Sequence, residues 1–348
     1  MILIRADGSN RTGSGHLMRC MTIAEQFTGK EEVLFLTRTR ESAALVKARG
    51  FEASVLSDHE REELPWMEEL PCLEAWMQEK QPDCILVDSY QATEEYLGAV
   101  SRWAPVIYLD DFGERAYPVS MVVNYNVFAD KENYERLYRD RNTICLIGPE
   151  YIPIRSAFLE KSYRVRENPE NVLLLTGGGD YYGFAGKFLK EFGAREDLQG
   201  LHFHLVCGFY SEETKEFLKE ENYTNFTLYE NVQDIWNLME RCDLAVTAGG
   251  TTVYELCAMG VPLLGYSFAD NQRPVLSWLY DRGIAPDCGD YRALGENLFK
   301  RIAELLNSCR DYDSRRRISE REKTLVDGHG AKRIAQAILS VLYCTRWQ

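Results

Sequence analysis

The chain has 348 residues, of which 45% are hydrophobic and 27% charged, a composition typical of globular proteins. Its 40 Lys and Arg residues against 54 Asp and Glu residues give a net charge of −14, which argues against nucleic acid as a partner. No apolar run approaches the ~18 residues of a membrane span, and the first residues lack a signal-peptide pattern, so we expect a cytoplasmic protein without stable membrane association. The length exceeds that of one hydrophobic core and predicts two domains.

Short apolar segments alternate with amphipathic segments along the first half of the chain. The apolar segments predict strands at Ile2–Arg5, Val33–Thr37, Ala53–Leu56, Cys84–Val87, Val106–Leu109 and Met121–Val123. The amphipathic segments predict helices at His16–Phe27, Ser42–Arg49, Leu70–Glu79, Thr93–Trp103 and Asp130–Tyr138. Strands that are apolar throughout and alternate with helices indicate a parallel sheet covered on both faces.

A second alternating series follows a connector at Gly148–Asn168 that is rich in proline and charge. The strands predicted there are Val172–Leu175, His202–Cys207, Phe226–Tyr229, Leu244–Thr247, Pro262–Gly265 and Ile284–Pro286. The predicted helices are Tyr182–Phe192, Glu212–Glu220, Val232–Glu240, Thr251–Met259, Arg273–Arg282 and Arg292–Leu306. Two further helical stretches, broken at Asp327–Gly330, end the chain, and the last of them is Ala331–Tyr343.

This pattern predicts an α/β protein of two doubly wound, Rossmann-like domains whose strand ends face each other across a cleft. The first domain covers residues 1–150 and the second covers residues 169–330, while residues 331–348 are expected to fold back onto the first domain. Ligands of such sheets bind at the carboxyl ends of the strands. The polar loops that directly follow the predicted strands are therefore the candidate site.

The most informative loop lies between the first predicted strand and the first predicted helix. It contains Gly13 and Gly15, which let the backbone approach a ligand closely, and His16 then opens the helix. A glycine loop at a helix N-terminus suits phosphate, so an imidazole base there is within reach of an anionic substrate. We therefore take His16 as the candidate general base.

Other polar residues of the first half each have two interpretations. Asp7 either orients His16 through a hydrogen bond or caps the turn that it begins. Arg19 either meets a phosphate or faces solvent. Asp88 and Tyr90 leave a buried strand and either bind sugar hydroxyl or acetamido groups or form a structural turn with a packing tyrosine.

Two glycine turns follow strands in the second half. The turn at Gly177–Asp180, which includes Gly178, has the form of a phosphate cradle but lacks a complete nucleotide-binding motif. The segment Ala248–Pro262 is a stronger signal because a strand runs through two glycines into a helix start that suits a diphosphate. The residues expected to contact the diphosphate are Gly249, Gly250, Thr251 and Thr252.

Three more residues of the second half are candidates for ligand contacts. Glu255 lies one turn into the same helix among apolar neighbours. It is placed to accept hydrogen bonds from the hydroxyl groups of a ribose, and the alternative is a surface carboxylate. Asn271 and Gln272 lie at another helix start, where they can cap the helix and also hydrogen-bond a substrate.

The cysteines predict no metal site. None of the 10 forms a Cys-x-x-Cys pair or lies near histidine at zinc spacing, and most lie inside apolar runs, as expected of reduced, buried thiols. Because backbone amides can stabilise phosphate charge, the candidate site requires no metal and no cofactor.

Taken together, these segments resemble the UDP-sugar hydrolases of pseudaminic acid biosynthesis (the PseG family), which are related to MurG-like glycosyltransferases. The resemblance spans nearly the whole chain. The Ala248–Pro262 segment is shared by many GT-B glycosyltransferases, whereas the combination of His16, Asp88 with Tyr90, and Asn271 with Gln272 is more specific to the hydrolases. The matching segments are Arg5-Ala-Asp7-Gly8 with Gly13-Ser-Gly15-His16, Val87-Asp88-Ser-Tyr90, Leu109-Asp-Asp-Phe-Gly113, Gly177-Gly-Gly-Asp180, Ala248–Pro262, Ala269-Asp-Asn271-Gln272 and Asp327-Gly-His-Gly330-Ala.

The resemblance implies a GT-B fold and hydrolysis of UDP-2,4-diacetamido-2,4,6-trideoxy-β-L-altrose by water, with inversion at the anomeric carbon. His16 would activate the water, Tyr90 and Asn271 would contact the sugar and diphosphate, and Glu255 would bind the ribose. The expected partners are thus a small UDP-sugar and water. The chain departs from some relatives at Ser89, which bears on the choice of sugar.

Two alternatives remain open at this point. A glycosyltransferase of the same fold would pass the sugar to an acceptor, and related spore-coat polysaccharide proteins carry much of the same pattern. A nucleotide-sugar-binding protein without catalysis would bind UDP with no turnover, and replacing His16 would then change nothing measurable.

Overall fold

A computed structural model describes residues 1–8, 15–56, 65–177, 180–193, 195–208, 214–215, 224–230 and 232–346. The chain forms two compact units. Met1–Pro153 and His329–Gln348 make up unit 1, and Ile154–Gly328 makes up unit 2. The connector expected at Gly148–Asn168 is thus divided between the two units.

Unit 1 contains a parallel sheet whose order reverses at its centre. Within the described residues, the order is β3-β2-β1-β4-β5-β6-β7 and every neighbouring pair is parallel. The chain winds outward in one direction from β1 and in the other from β4, so the switch point of the sheet lies between these two strands. The strands are β1 (Ile2–Ala6), β2 (Val33–Thr37), β3 (Glu52–Val55), β4 (Cys84–Asp88), β5 (Val106–Leu109), β6 (Met121–Asn124) and β7 (Ile144–Ile147).

Helices cover both faces of this sheet, as the uninterrupted apolar strands predicted. On one face the final helix joins the core through Ile334, Ile338 and Leu342, which pack with Leu17 of the first helix. The other face is covered by aromatic side chains that include Trp66. The helices of unit 1 are Gly15–Ala24, Arg40–Ala48, Leu70–Lys80, Glu94–Val100, Lys131–Leu137 and Gly330–Arg346.

Unit 2 repeats the arrangement with a parallel sheet of order β10-β9-β8-β11-β12-β13 in the part of the unit that is described. Its switch point lies between β8 and β11. The strands are β8 (Asn171–Leu175), β9 (His202–Cys207), β10 (Phe226–Glu230), β11 (Leu244–Ala248), β12 (Leu263–Ser267) and β13 (Asp287–Asp290). The helices are Ser156–Leu159, Phe184–Gly193, Ile235–Arg241, Thr252–Met259, Arg273–Asp281, Tyr291–Leu294, Asn297–Ser308 and Tyr312–Lys323.

Three predictions about elements were wrong. The strand β7 was missed, although an apolar run followed by Gly148-Pro149 marks its end; it is a short edge strand with an exposed first residue. The strand expected at Ile284–Pro286 lies instead at β13, where Asp and Gly residues pair with β12 despite their low strand propensity. The helix expected at Arg292–Leu306 is two helices, separated at Gly295, whose φ of +53° ends the first. The helix predicted at Glu212–Glu220 lies almost entirely outside the described residues.

Candidate functional site

The switch point of unit 1 brings together the ends of two strands and the start of the first helix. Ala6, the last residue of β1, pairs in register with Asp88, the last residue of β4. The helix that follows β1 begins at Gly15 and carries His16 in its first turn. Because β1 and β4 are neighbours, this histidine lies over the end of β4. Gly13, the other glycine predicted to line the loop, lies outside the described residues.

His16 and Asp88 form a hydrogen-bonded pair. The Nδ1 atom of His16 lies 2.6 Å from Oδ1 of Asp88, whose side chain is fully buried, while 14% of the His16 side chain is exposed. An ionised carboxylate only accepts hydrogen bonds, so the pairing favours the neutral tautomer with hydrogen on Nδ1. The lone pair then lies on Nε2, where it can accept a proton.

Arg19 fixes the carboxylate that holds His16. Its Nε and Nη2 atoms donate to the two oxygens of Asp88 at 2.6 and 2.5 Å, and its Nη1 and Nη2 atoms donate to Asp111 at 2.9 and 3.0 Å. Nη1 also donates to the hydroxyl group of Tyr125 at 2.7 Å. Only 7% of Arg19 is exposed. The solvent-facing interpretation of Arg19 is therefore wrong, because the residue is a buried counter-charge for two carboxylates.

This arrangement keeps Asp88 ionised. Burial alone would raise the pKa of the Asp88 carboxyl group, but the charge of Arg19, the neighbouring His16 and the hydrogen bonds from both outweigh it. The pKa consequently lies well below the usual range of an aspartate. Asp88 is thus committed to positioning His16, which leaves no support for the prediction that its carboxylate binds sugar hydroxyl groups.

Tyr90 adjoins the same histidine from the loop after β4. The ring centroids of Tyr90 and His16 are 4.6 Å apart in an edge-to-face arrangement, and 52% of the tyrosine is exposed. The packing interpretation of Tyr90 therefore accounts for only part of its surface. The remaining surface is accessible next to the imidazole.

Asp7 belongs to a different polar network. Its Oδ2 atom pairs with the buried Arg5 at 2.7 Å, and its Oδ1 atom accepts a hydrogen bond from the backbone of Arg38 at 2.6 Å. Both arginines also bind Glu69, so two cations offset two carboxylates. The prediction that Asp7 orients His16 is wrong, since Asp88 does so. Asp7 instead ties the end of β1 to the residue after β2.

The switch point of unit 2 lies at the two glycines after β11. A Cβ atom on Gly249 would lie 2.4 Å from the carbonyl oxygen of Gln272, whereas one on Gly250 would have no atom within 4 Å. Gly249 therefore permits close packing of the backbone, and Gly250 borders open space. The helix Thr252–Met259 begins here, with Thr251 and Thr252 both accessible and no side chain among the described residues capping its start.

Glu255 in this helix pairs with an arginine that the sequence analysis did not single out. The Nη2 atom of Arg155 donates to Oε1 of Glu255 at 2.8 Å, and both side chains are mostly buried. The guanidinium group also lies over the rings of Phe158 and Trp236, at 4.7 and 5.3 Å from their centroids. Arg155 lies two residues after Pro153 in the connector, and this context gave no signal of a functional partner.

The remaining predicted residues of unit 2 are Asn271, Gln272 and Gly178. Gln272 uses its side-chain oxygen to accept a hydrogen bond from the backbone of Phe268 at 2.9 Å, while Asn271 is exposed and neither side chain caps the helix start. In the predicted turn Gly177–Asp180, the carboxylate of Asp180 accepts hydrogen bonds from the backbone of Ala185 and from the hydroxyl group of Thr214. Gly178 itself lies outside the described residues.

The described residues contain neither a metal-binding cluster nor a membrane-spanning helix. No group of three or more His, Cys, Asp or Glu residues in these ranges is arranged to hold a metal ion. None of the helices found in them is both long and apolar enough to cross a membrane.

Comparison with known proteins extends these observations. No family model matches the chain. The spore coat polysaccharide biosynthesis protein SpsG of Bacillus subtilis is 25% identical over 346 residues, covering 98% of each chain. The UDP-2,4-diacetamido-2,4,6-trideoxy-beta-L-altropyranose hydrolase of Campylobacter jejuni is 20% identical over 285 residues, covering 81% of this chain and 97% of that protein. MurG of Acinetobacter baumannii, known from a crystal structure, is similar in fold, with a TM-score of 0.68 at 12% identity over 97% of this chain and 99% of that one.

The chain thus falls into the structural class with the GT-B fold, as its sequence predicted. Within that class, the resemblance to the pseudaminic acid hydrolases is confirmed as a distant similarity, and the similarity to the spore coat protein extends over nearly the full length of both chains.

The substitution Asp88→Asn tests the buried carboxylate. Because the pKa of Asp88 in the folded chain is lowered, its ionised form stabilises the fold above the pKa of an unfolded aspartate, ~3.9, and this contribution is lost as the pH falls through the folded value. We expect the substitution to lower the free energy of unfolding by about 3 kcal/mol at neutral pH, and the difference to shrink below about pH 4. Urea unfolding across this pH range measures both effects, with the exposed Asp140→Asn as control. A difference from wild type that did not change with pH would contradict the assignment.

Proposed function

We propose that this chain is a UDP-sugar hydrolase that releases UDP and 2,4-diacetamido-2,4,6-trideoxy-L-altrose, in the pathway of pseudaminic acid biosynthesis. The observation that carries the proposal is the buried pair of His16 and Asp88 at the switch point of unit 1. An imidazole whose Nδ1 is held by a carboxylate is suited to act as a general base through Nε2.

Three charged side chains surround His16 in the proposed site. Arg19 carries one positive charge, while Asp88 and Asp111 carry one negative charge each, so the cluster holds a net charge of −1 when His16 is neutral. Taking a proton from water makes the cluster neutral. Because Arg19 is bonded to both carboxylates, their positions need not change during the proton transfer.

The proposed reaction is an in-line displacement at the anomeric carbon. Nε2 of His16 accepts a proton from water while the water oxygen forms a bond to the anomeric carbon. The bond between that carbon and the diphosphate oxygen breaks, and its electron pair leaves with UDP. Unlike an alkoxide, a diphosphate is a good leaving group, so the reaction needs no second carboxylic acid of the kind found in ordinary glycosidases.

Unit 2 is proposed to bind the UDP moiety. The open space beside Gly250 and the start of helix Thr252–Met259 suit the diphosphate, whose charge the helix N-terminus would stabilise. Glu255, held by Arg155, is proposed to accept hydrogen bonds from the ribose, and Asn271 is proposed to contact the sugar or diphosphate. The similarity to the Campylobacter jejuni hydrolase supports the assignment of this substrate.

A glycosyltransferase that uses a UDP-amino-sugar is the second candidate function. It is favoured by the similarity to the spore coat polysaccharide protein over 98% of both chains and by the MurG-like fold. The same base would then deprotonate an acceptor hydroxyl group in place of water. The requirement for an acceptor separates the two functions, and binding of UDP without turnover would indicate a non-catalytic protein.

The direct test is UDP release from UDP-2,4-diacetamido-2,4,6-trideoxy-β-L-altrose in the absence of an acceptor. We expect wild-type protein to release UDP and His16→Ala to do so ~100-fold more slowly, because the base is lost. His202→Ala serves as the control and should retain the wild-type rate. His202 lies on β9, where its side chain is hydrogen-bonded to Thr227 of β10. Equal rates for wild type and His16→Ala, or no release by a wild-type protein that binds UDP, would contradict the proposal.

The two glycines after β11 provide a matched pair for the UDP site. Gly250→Ala places a methyl group in open space, so we expect an unchanged melting temperature and about tenfold weaker UDP binding, because the backbone can no longer approach the diphosphate. Gly249→Ala forces a Cβ atom against the backbone and should destabilise the fold by about 1–3 kcal/mol. Calorimetry with UDP and thermal unfolding separate the two effects. Unchanged UDP affinity in Gly250→Ala would remove this glycine from the site.

A further inference from the structure

Hydrogen bonds and close packing fix the conformation of the turn Asp110–Gly113, which follows β5. The carboxylate of Asp110 accepts hydrogen bonds from the backbone of Phe112 at 3.0 Å and of Gly113 at 3.1 Å, and from the hydroxyl group of Tyr134 at 2.6 Å. Gly113 has a φ of +66°, and a Cβ atom there would lie 2.9 Å from the Tyr134 ring. Asp111 is bonded to Arg19. Both the conformation of the turn and its position are therefore fixed.

This fixed turn presents an aromatic side chain to solvent. Phe112 is 53% exposed, although its neighbours Asp110 and Tyr134 are buried. Its ring centroid lies 5.2 Å from that of Tyr90, which in turn lies 4.6 Å from that of His16. The three rings form a continuous row that starts at the proposed base. Because Phe112 stays half-exposed, its ring contributes less to the stability of the fold than a buried phenylalanine would. The exposed face of the ring is accessible to a ligand.

We propose that Tyr90 and Phe112 form an aromatic wall that binds the apolar side of the sugar, and that Phe112 is a specificity-determining residue favouring a 6-deoxy sugar over its 6-hydroxyl counterpart. This inference rests on the proposed function, since it assigns the sugar to the side of His16 on which these rings lie. A phenyl ring offers no hydrogen-bond partner, so it favours a methyl group over a hydroxymethyl group that would lose its hydration. Tyr90 supplies the part of the wall next to the anomeric carbon, and Phe112 supplies the part farther away.

Binding measurements test the wall without relying on turnover. The His16→Asn background keeps the ligand intact, and the probes are UDP, UDP-N-acetylglucosamine and its 6-deoxy analogue. We expect the parent to prefer the 6-deoxy analogue by about tenfold, within the limit of discrimination by an apolar contact. Phe112→Ala should weaken binding of the 6-deoxy analogue by about 3- to 10-fold, reduce the preference towards unity and leave the affinity for UDP unchanged.

Two further variants make the result specific. Phe112→Tyr, which keeps the ring but adds a hydrogen-bonding hydroxyl group, should keep the affinity for the 6-deoxy analogue and reduce the preference. Tyr280→Ala removes an equally exposed aromatic residue from the C-terminal end of helix Arg273–Asp281 and should alter neither affinity. The inference is overturned if Phe112→Ala leaves the preference intact, if it weakens UDP and both sugars alike, or if the parent shows no preference.

The outcomes also separate this inference from the proposed hydrolysis. UDP release by protein with His16 intact is measured independently of the affinities. A ring-dependent preference without hydrolysis would support the aromatic wall and refute the hydrolase, whereas hydrolysis without the preference would refute the aromatic wall alone.

Discussion

The site in unit 1 depends on one buried guanidinium group. Arg19 is bonded to Asp88 at the end of β4, to Asp111 just after β5 and to Tyr125 just after β6, so it joins three strand ends to the helix that follows β1. Without this cation, two carboxylates would lie close together at low dielectric, and one of them would have to take up a proton. With it, Asp88 stays ionised and holds the ring of His16. The proposed catalytic function of the histidine therefore rests on an ion pair that need not touch the substrate.

The two units use the same topology for different chemical tasks. In each described sheet the order of strands reverses once, and the candidate residues follow the strands on either side of that reversal. In unit 1, charged side chains at this position orient the proposed base. In unit 2, two glycines lie at the corresponding position. Gly249 is needed for close packing, and Gly250 borders open space. A charged network suits proton transfer, whereas an open backbone at a helix start suits an anionic ligand.

Local patterns in the sequence predicted most of the fold but not the partners of its charged groups. Uninterrupted apolar strands and amphipathic helices indicate two parallel sheets, and the loops after the strands indicate the candidate sites. Arg19 was assigned to solvent or phosphate because its partner Asp111 is 92 positions away, and a single sequence does not reveal such pairs. Glu255 and Arg155 are similarly 100 positions apart. Asp7 was a plausible partner for His16 by proximity in sequence, but the parallel pairing of β1 with β4 brings Asp88 there instead. At β13, tertiary pairing overrides the low strand propensity of its residues.

In the proposed reaction, water activated by His16 attacks the anomeric carbon of a UDP-sugar. Reaction in water enriched with oxygen-18, with mass spectrometry of the products within the first turnovers, tests it most directly. Label is expected in the released sugar and not in UDP, because the bond that breaks lies between the anomeric carbon and the diphosphate oxygen. Label in the terminal phosphate of UDP would show attack at phosphorus and would rule out attack of water at the anomeric carbon.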